Sequence, residues 1–214
     1  MKNMEISQRY LLLVLNDKGR VAPIGSIRIR AFMVASGILE LVLDDIVSLS
    51  DNQVTVKQEL PIDKEYLRPI YNKISTETLP LKKLGRELIS KRELFKELFN
   101  SVGDSLVELD AVTKTNGGIL GKSSHYIGSE DSKKQIVEQI RAELLEEGPV
   151  TTDTVVLTSL LIGSRILKNY FSKFEDKDLN DKLTMLREDT TNKEIFAMID
   201  SISHTITTII ASVG

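Results

Sequence analysis

Apolar positions along the chain recur mostly at helical spacing. Leu11-Leu12-Leu13-Val14-Leu15 runs into Asn16-Asp17-Lys18-Gly19, so residues 5–15 read as a short helix closed by a turn. Pro23 and Gly25 break helical periodicity over 20–30, where Arg28 and Arg30 alternate with Ile27 and Ile29. Residues 31–44 read as a helix apolar on most of its circumference, the pattern of a core helix. Its polar positions Ser36, Glu40 and Asp44 are four apart and stack in one stripe. Glu40 then has two placements: facing solvent or another polar element with that stripe, or buried against a partner such as Arg28 or Arg30, since an unpaired buried carboxylate is costly.

Residues 46–49 and 53–58 alternate as two short strands around Ser50-Asp51-Asn52. Leu60 to Ser75 reads as helical, with Pro69 starting or kinking a turn. Thr78-Leu79-Pro80 opens a helical region in which Leu81, Leu84 and Leu88 share a face, as do Leu94, Leu98 and Val102, up to Gly103. Over 105–127 the pattern changes. Leu106-Val107-Glu108-Leu109 and Ile119-Leu120 flank Asn116-Gly117-Gly118, and Asn-Gly is the favoured two-residue hairpin turn. Ser129 or Asp131 caps a helix through Glu147, Thr151 or Thr152 one from 153 to about 171, and amphipathic helices follow over 176–187 and 192–212. The whole is mainly α: a single domain over 1–214 with a β-hairpin at about 105–127.

Composition excludes more than it identifies. The chain of 214 residues has no cysteine, so disulfides and thiol chemistry are absent. Net charge is −3, which argues against a chain-wide nucleic-acid footprint while leaving room for a local basic patch. His125 and His204 lie in unrelated segments without metal-ligand spacing, so neither a metal nor a cofactor is expected. No nucleophile elbow, Walker loop or dinucleotide turn occurs. No secretory signal or spanning helix is expected, because the stretch 195–213 is interrupted by Asp200 and His204. Lys82, Lys83, Arg86, Lys91 and Arg92 cluster around one helix, either as an anionic-lipid patch or as a mixed solvated face diluted by Glu87, Glu93 and Glu97.

The order of Leu-rich helix, Asp-Lys-Gly turn, Ile-Leu-Glu-Leu helix and short strand pair resembles the Golgi phosphoprotein 3 family. Leu81 to Val102 resembles that family's basic helix, and Arg92-Glu93-Leu94-Phe95-Lys96-Glu97-Leu98 sits where a basic, Leu-spaced segment is expected. Lys122-Ser123-Ser124-His125-Tyr126 resembles the end of its hairpin, and Thr152-Asp153 through Tyr170 its following long helix. The resemblance spans nearly the whole chain. It implies a central apolar helical bundle ringed by amphipathic helices, with a protruding hairpin. It also implies a non-enzymatic adaptor on the cytosolic face of a membrane that binds phosphatidylinositol 4-phosphate and the cytosolic tails of glycosyltransferases. The hairpin tip, Asn116, Gly117, Gly118, Ile119 and Leu120, would make membrane contact or the contacts of a homo-oligomer.

The family's lipid-reading Trp falls at Ile24 or Gly25, its first Arg at Val34, and its Arg pair at Leu88 and Lys91. An anionic head-group site in this chain is therefore expected from Arg28, Arg30, Lys91 and Arg92. Two readings of other classes stand beside it. A helix at 91–102 followed by a hairpin is also the order of a winged-helix nucleic-acid binder, and a helical bundle can hide a small-molecule site between helices.

Overall fold

A computed structural model describes residues 4–21, 26–76, 78–117 and 123–213. The core is built on helices that have no polar face. Helix α1 (Ile6–Val14) is buried along its whole length, and residues 31–41 of α2 (Ser26–Leu43) are buried without a break. These two helices pack on each other and on α7 (Thr152–Ser164), which is buried over most of its length. Around them stand amphipathic helices: α3 (Arg68–Ser75), α4 (Leu81–Ser90), α5 (Arg92–Glu108), α6 (Glu130–Leu144), α8 (Lys173–Glu188) and α9 (Lys193–Val213). Each turns a Leu- or Ile-rich stripe inward, such as Leu81, Leu84 and Leu88 on α4 and Ile202, Ile206 and Ile209 on α9. The chain is thus mainly α, as its pattern predicts. By length and composition α9 is long and apolar enough to cross a membrane. Here only its isoleucine stripe lies against α2 and α4, and 28% of the stretch is buried, as in an amphipathic helix at the surface.

Two small sheets complete the fold. Strands β1 (Val47–Ser50) and β2 (Gln53–Val56) pair antiparallel with Val47 opposite Val56, and β3 (Leu79–Pro80) extends β2. Asp51 and Asn52 both have positive φ, which gives this hairpin the twist its strands need. Strands β4 (Val112–Gly117) and β5 (Ser123–Gly128) form the second hairpin.

Several elements differ from the sequence expectation. Helix α2 begins at Ser26 rather than near residue 31, so Arg28 and Arg30 lie on it. Helix α5 continues to Glu108 because Leu106 repeats the four-residue spacing of Leu98 and Val102, and all three are buried. The second hairpin therefore starts at Val112, after Asp110 turns the chain with φ 58°. Asn116 and Gly117 are not its turn. They pair within the ladder, with Ser124 and Ser123. Gly118, Ile119 and Leu120 lie outside the described residues, as do Pro23, Ile24 and Gly25. Helix α7 stops at Ser164, where Arg165 takes the left-handed conformation.

Glu40 takes the buried, partnered one of its two placements. It does not follow its stripe to solvent, and neither Arg28 nor Arg30 pairs with it. Its side chain is buried, with one oxygen accepting from the backbone N–H of Ser7 at 2.9 Å, in the first turn of α1. That amide is one of the donors a helix leaves unpaired at its start. The other oxygen accepts from the Tyr66 hydroxyl and from Lys64 Nζ at 3.3 Å. Lys64 is itself buried and reaches Asp44 at 2.6 Å and Glu5 at 3.2 Å. Burial raises the Glu40 pKa, opposed by Lys64, Tyr66 and Ser7. Burial also works against the charge on Lys64, but Glu40, Asp44 and Glu5 outweigh it and hold the ammonium above its ordinary 10.5. One cluster so ties α1, α2 and the 3-10 turn Ile62–Leu67.

Lys64→Met keeps the aliphatic stem but leaves Glu40 buried without its cation. At neutral pH it is expected to lower the unfolding free energy by about 3–5 kcal/mol, read from urea melts. Because the Lys64 pKa is raised on folding, its contribution is complete below 10.5 and is lost as pH rises through the folded-state value. On the alkaline side the gap between wild type and variant should accordingly hold up to 10.5 and narrow above it.

Candidate functional site

The first half of α5 faces a cleft of about 440 Å³. Arg92, Glu93, Phe95, Lys96, Phe99 and Asn100 come from α5, Arg30 from α2, Arg20 and Val21 from the turn after α1, and Ser123, Ser124 and His125 from β5. Arg92, Lys96 and Phe99 share a helical face because they are spaced by four and three. Among the described residues, four cations, Arg20, Arg30, Arg92 and Lys96, thus meet around a space that holds one carboxylate, Glu93.

Arg30 is the anchored cation. It donates to the carbonyl of Ile89 near the end of α4, and its guanidinium carbon lies 4.6 Å from the centroid of Phe95. Burial, helped by the like charge of Arg92, lowers its pKa, yet a guanidinium remains charged near neutrality. Its buried Nε has no hydrogen-bond partner among the described residues. Phe95 continues into an aromatic row: Phe99 at 6.3 Å and Tyr126 edge-on to Phe99 at 5.4 Å.

Tyr126 holds the hairpin wall of the cleft. Its ring sits over Gly103 of α5, where a Cβ would come within 2.5 Å of ring atoms. Its hydroxyl donates to Asp104 at 2.8 Å, and its backbone N–H donates to the Gly19 carbonyl at 3.0 Å. Gly19 has φ +67°, and a Cβ there would meet the Tyr126 backbone at 2.7 Å. Burial, then Asp104, raises the Tyr126 pKa, so it stays a neutral donor. Turn, helix and strand meet at this one residue, which sets Ser124 and His125 along the cleft.

Of the four cations expected at a head-group site, Arg30 and Arg92 line this cleft. Arg28 and Lys91 are not among its lining residues. Arg28 donates to the Gly163 carbonyl at 3.0 Å, near the end of α7, and Lys91 pairs with Glu87 at 2.9 Å, four residues back on the same turn of chain. Sequence reasoning did not single out Arg20, Lys96, Ser123, Ser124 and His125. The spacing of Arg92 and Lys96 carried a signal; the approach of β5 and of the turn did not.

A second cleft, of about 530 Å³, lies along the other half of α5. Its charged lining residues are Glu5, Asp63, Glu65, Asp104 and Glu108, all acidic. Among the described residues no group of His, Asp and Glu is arranged to hold a metal ion. His125 lines the basic cleft, and His204 is exposed on α9.

The fold and the basic cleft define a class: a helical domain whose fully apolar inner helices are ringed by amphipathic ones, with a hairpin laid against one of them beside a cationic cleft. The family model described as Golgi phosphoprotein 3 (GPP34) matches residues 6–202, which takes in all these features, and the chain belongs to that family. Comparison with curated proteins gives no match.

Gly103→Ala forces a methyl into the Tyr126 ring. It is expected to cost about 1–3 kcal/mol, the range for overpacking, and to speed amide exchange in β5 before the rest of the fold opens. Hydrogen exchange of the variant against wild type checks both.

Proposed function

We propose that this protein is a non-enzymatic, peripheral membrane adaptor whose basic cleft takes the phosphate of an anionic lipid head group. The observation that carries this reading is the convergence of Arg20, Arg30, Arg92 and Lys96 on one cleft. Guanidinium groups offer paired donors that match phosphate oxygens, and Lys96 adds a point charge. Arg30 contributes its charge, and Ser123 and Ser124 add hydroxyl donors. Arg92 and Lys96 are exposed, so they reach a surface ligand without rearrangement of the core. Membership of the Golgi phosphoprotein 3 family, which is not a known enzyme family, supports an adaptor. In this reading the protein works on the cytosolic face of a membrane.

Co-sedimentation with vesicles tests it. The full chain should pellet with phosphatidylcholine vesicles carrying phosphatidylinositol 4-phosphate or phosphatidylserine at low salt, and not with phosphatidylcholine alone. Each cation near an anionic surface contributes about 1 kcal/mol, so Arg92→Ala with Lys96→Ala should weaken binding roughly 30-fold. No binding of wild type to any anionic vesicle, or equal binding by the double variant, would sink the proposal.

A further inference from the structure

The 3-10 turn Ile62–Leu67 presents a feature that the head-group reading leaves unused. Ile62 is 90% exposed, the most exposed large apolar side chain among the described residues. Acidic, exposed residues surround it: Glu59, Asp63 and Glu65. Glu65 pairs with Arg68, while Glu59 and Asp63 enter no ion pair among the described residues. The turn is held from beneath. Leu60, Lys64 and Tyr66 are buried on either side of Ile62, and Lys64 and Tyr66 are fastened to Glu40. Ile62 therefore stands as a preformed knob that loses little conformational freedom on contact.

The basic cleft is its complement in charge and offers an apolar part for the knob. Val21, Phe95 and Phe99 give the cleft an apolar part, and Arg20, Arg92 and Lys96 give it a positive rim. An apolar knob in an acidic collar matches an apolar recess in a basic collar, the arrangement that steers association and fixes register. The two surfaces of one molecule cannot meet. The cleft lies along the first half of α5 and Ile62 beside the second half, and the 17 residues of that helix span about 25 Å.

We infer that a second copy of this chain docks its Ile62 turn into the basic cleft of the first. The contact uses different surfaces on the two molecules, so it is head-to-tail and leaves a free knob at one end and a free cleft at the other. It also covers the cations assigned above to the head group. Self-association and anionic ligands then compete for the same cleft, and a membrane surface would dissolve the assembly.

Sedimentation velocity of the full chain without lipid tests this. At low salt the average mass should rise with concentration above the 24.0 kDa of one chain, and high salt should return it to that value. Ile62→Asn removes the knob and Arg92→Glu inverts the rim. Both side chains are exposed, so the fold should survive, and each change should weaken association by about tenfold or more. The decisive sample mixes the two variants. Ile62→Asn keeps an intact cleft and Arg92→Glu an intact knob, so together they should form a one-to-one dimer that grows no further. A wild type that stays at 24.0 kDa at all concentrations overturns the inference, as does a mixture that stays monomeric, or single variants that assemble like wild type. Vesicle binding by Ile62→Asn, measured separately, reports on the head-group reading alone.

Discussion

A carboxylate placed in an apolar helix organises this fold. Glu40 lies in a helical stretch that is buried without a break, where its charge is tolerated only because two other elements supply partners. It accepts from the first turn of α1, from Lys64 and from Tyr66. In meeting those donors it settles how α1 crosses α2 and where the 3-10 turn sits. Both clefts inherit that placement: α2 carries Arg30 to the basic one, while α1 and the turn bring Glu5, Asp63 and Glu65 to the acidic one. Apolar packing alone would tolerate several ways of sliding these helices, whereas a buried ion cluster accepts one.

The same economy appears in the charge distribution. A net charge of −3 suggests a bland surface, but the sum hides a separation along α5. Cations gather at its beginning, and carboxylates line its end. Field strength in a cleft depends on such local grouping more than on the total. Tyr126 makes the grouping durable, because its ring over Gly103 and its hydroxyl on Asp104 dock β5 between the two regions.

Much of the fold was legible in the sequence because helix burial is written in periodicity. The apolar patterning of α1, α2 and α7, the caps at Ser129 and Thr151, and the turn at Asp51-Asn52 are local signals, and the structure puts a helix, a cap or a turn at each of them, with the ends of α2 and α7 shifted. The second hairpin was read too wide for a physical reason: Leu106 fits a strand and a helix equally well until its burial beside Leu98 and Val102 decides it. The partner of Glu40 was not legible, since Lys64 is 24 residues away and looks like any surface lysine. Half of the expected cations line the cleft. The others point elsewhere: Lys91 pairs with Glu87 at the four-residue spacing of a helix, a contact the sequence does announce, while Arg28 donates to the Gly163 carbonyl of a distant helix, which no spacing rule announces.

The central claim is that the cationic cleft at the start of α5 meets an anionic surface. Hydrogen–deuterium exchange of the full chain with vesicles tests it most directly, because the first amides of a helix have no intrahelical partner and respond to a nearby ligand. With anionic vesicles, exchange should slow at the first turn of α5 and at Ser123, Ser124 and His125, and should not change with phosphatidylcholine alone. Unchanged exchange at both places, or equal slowing with neutral vesicles, would contradict the account.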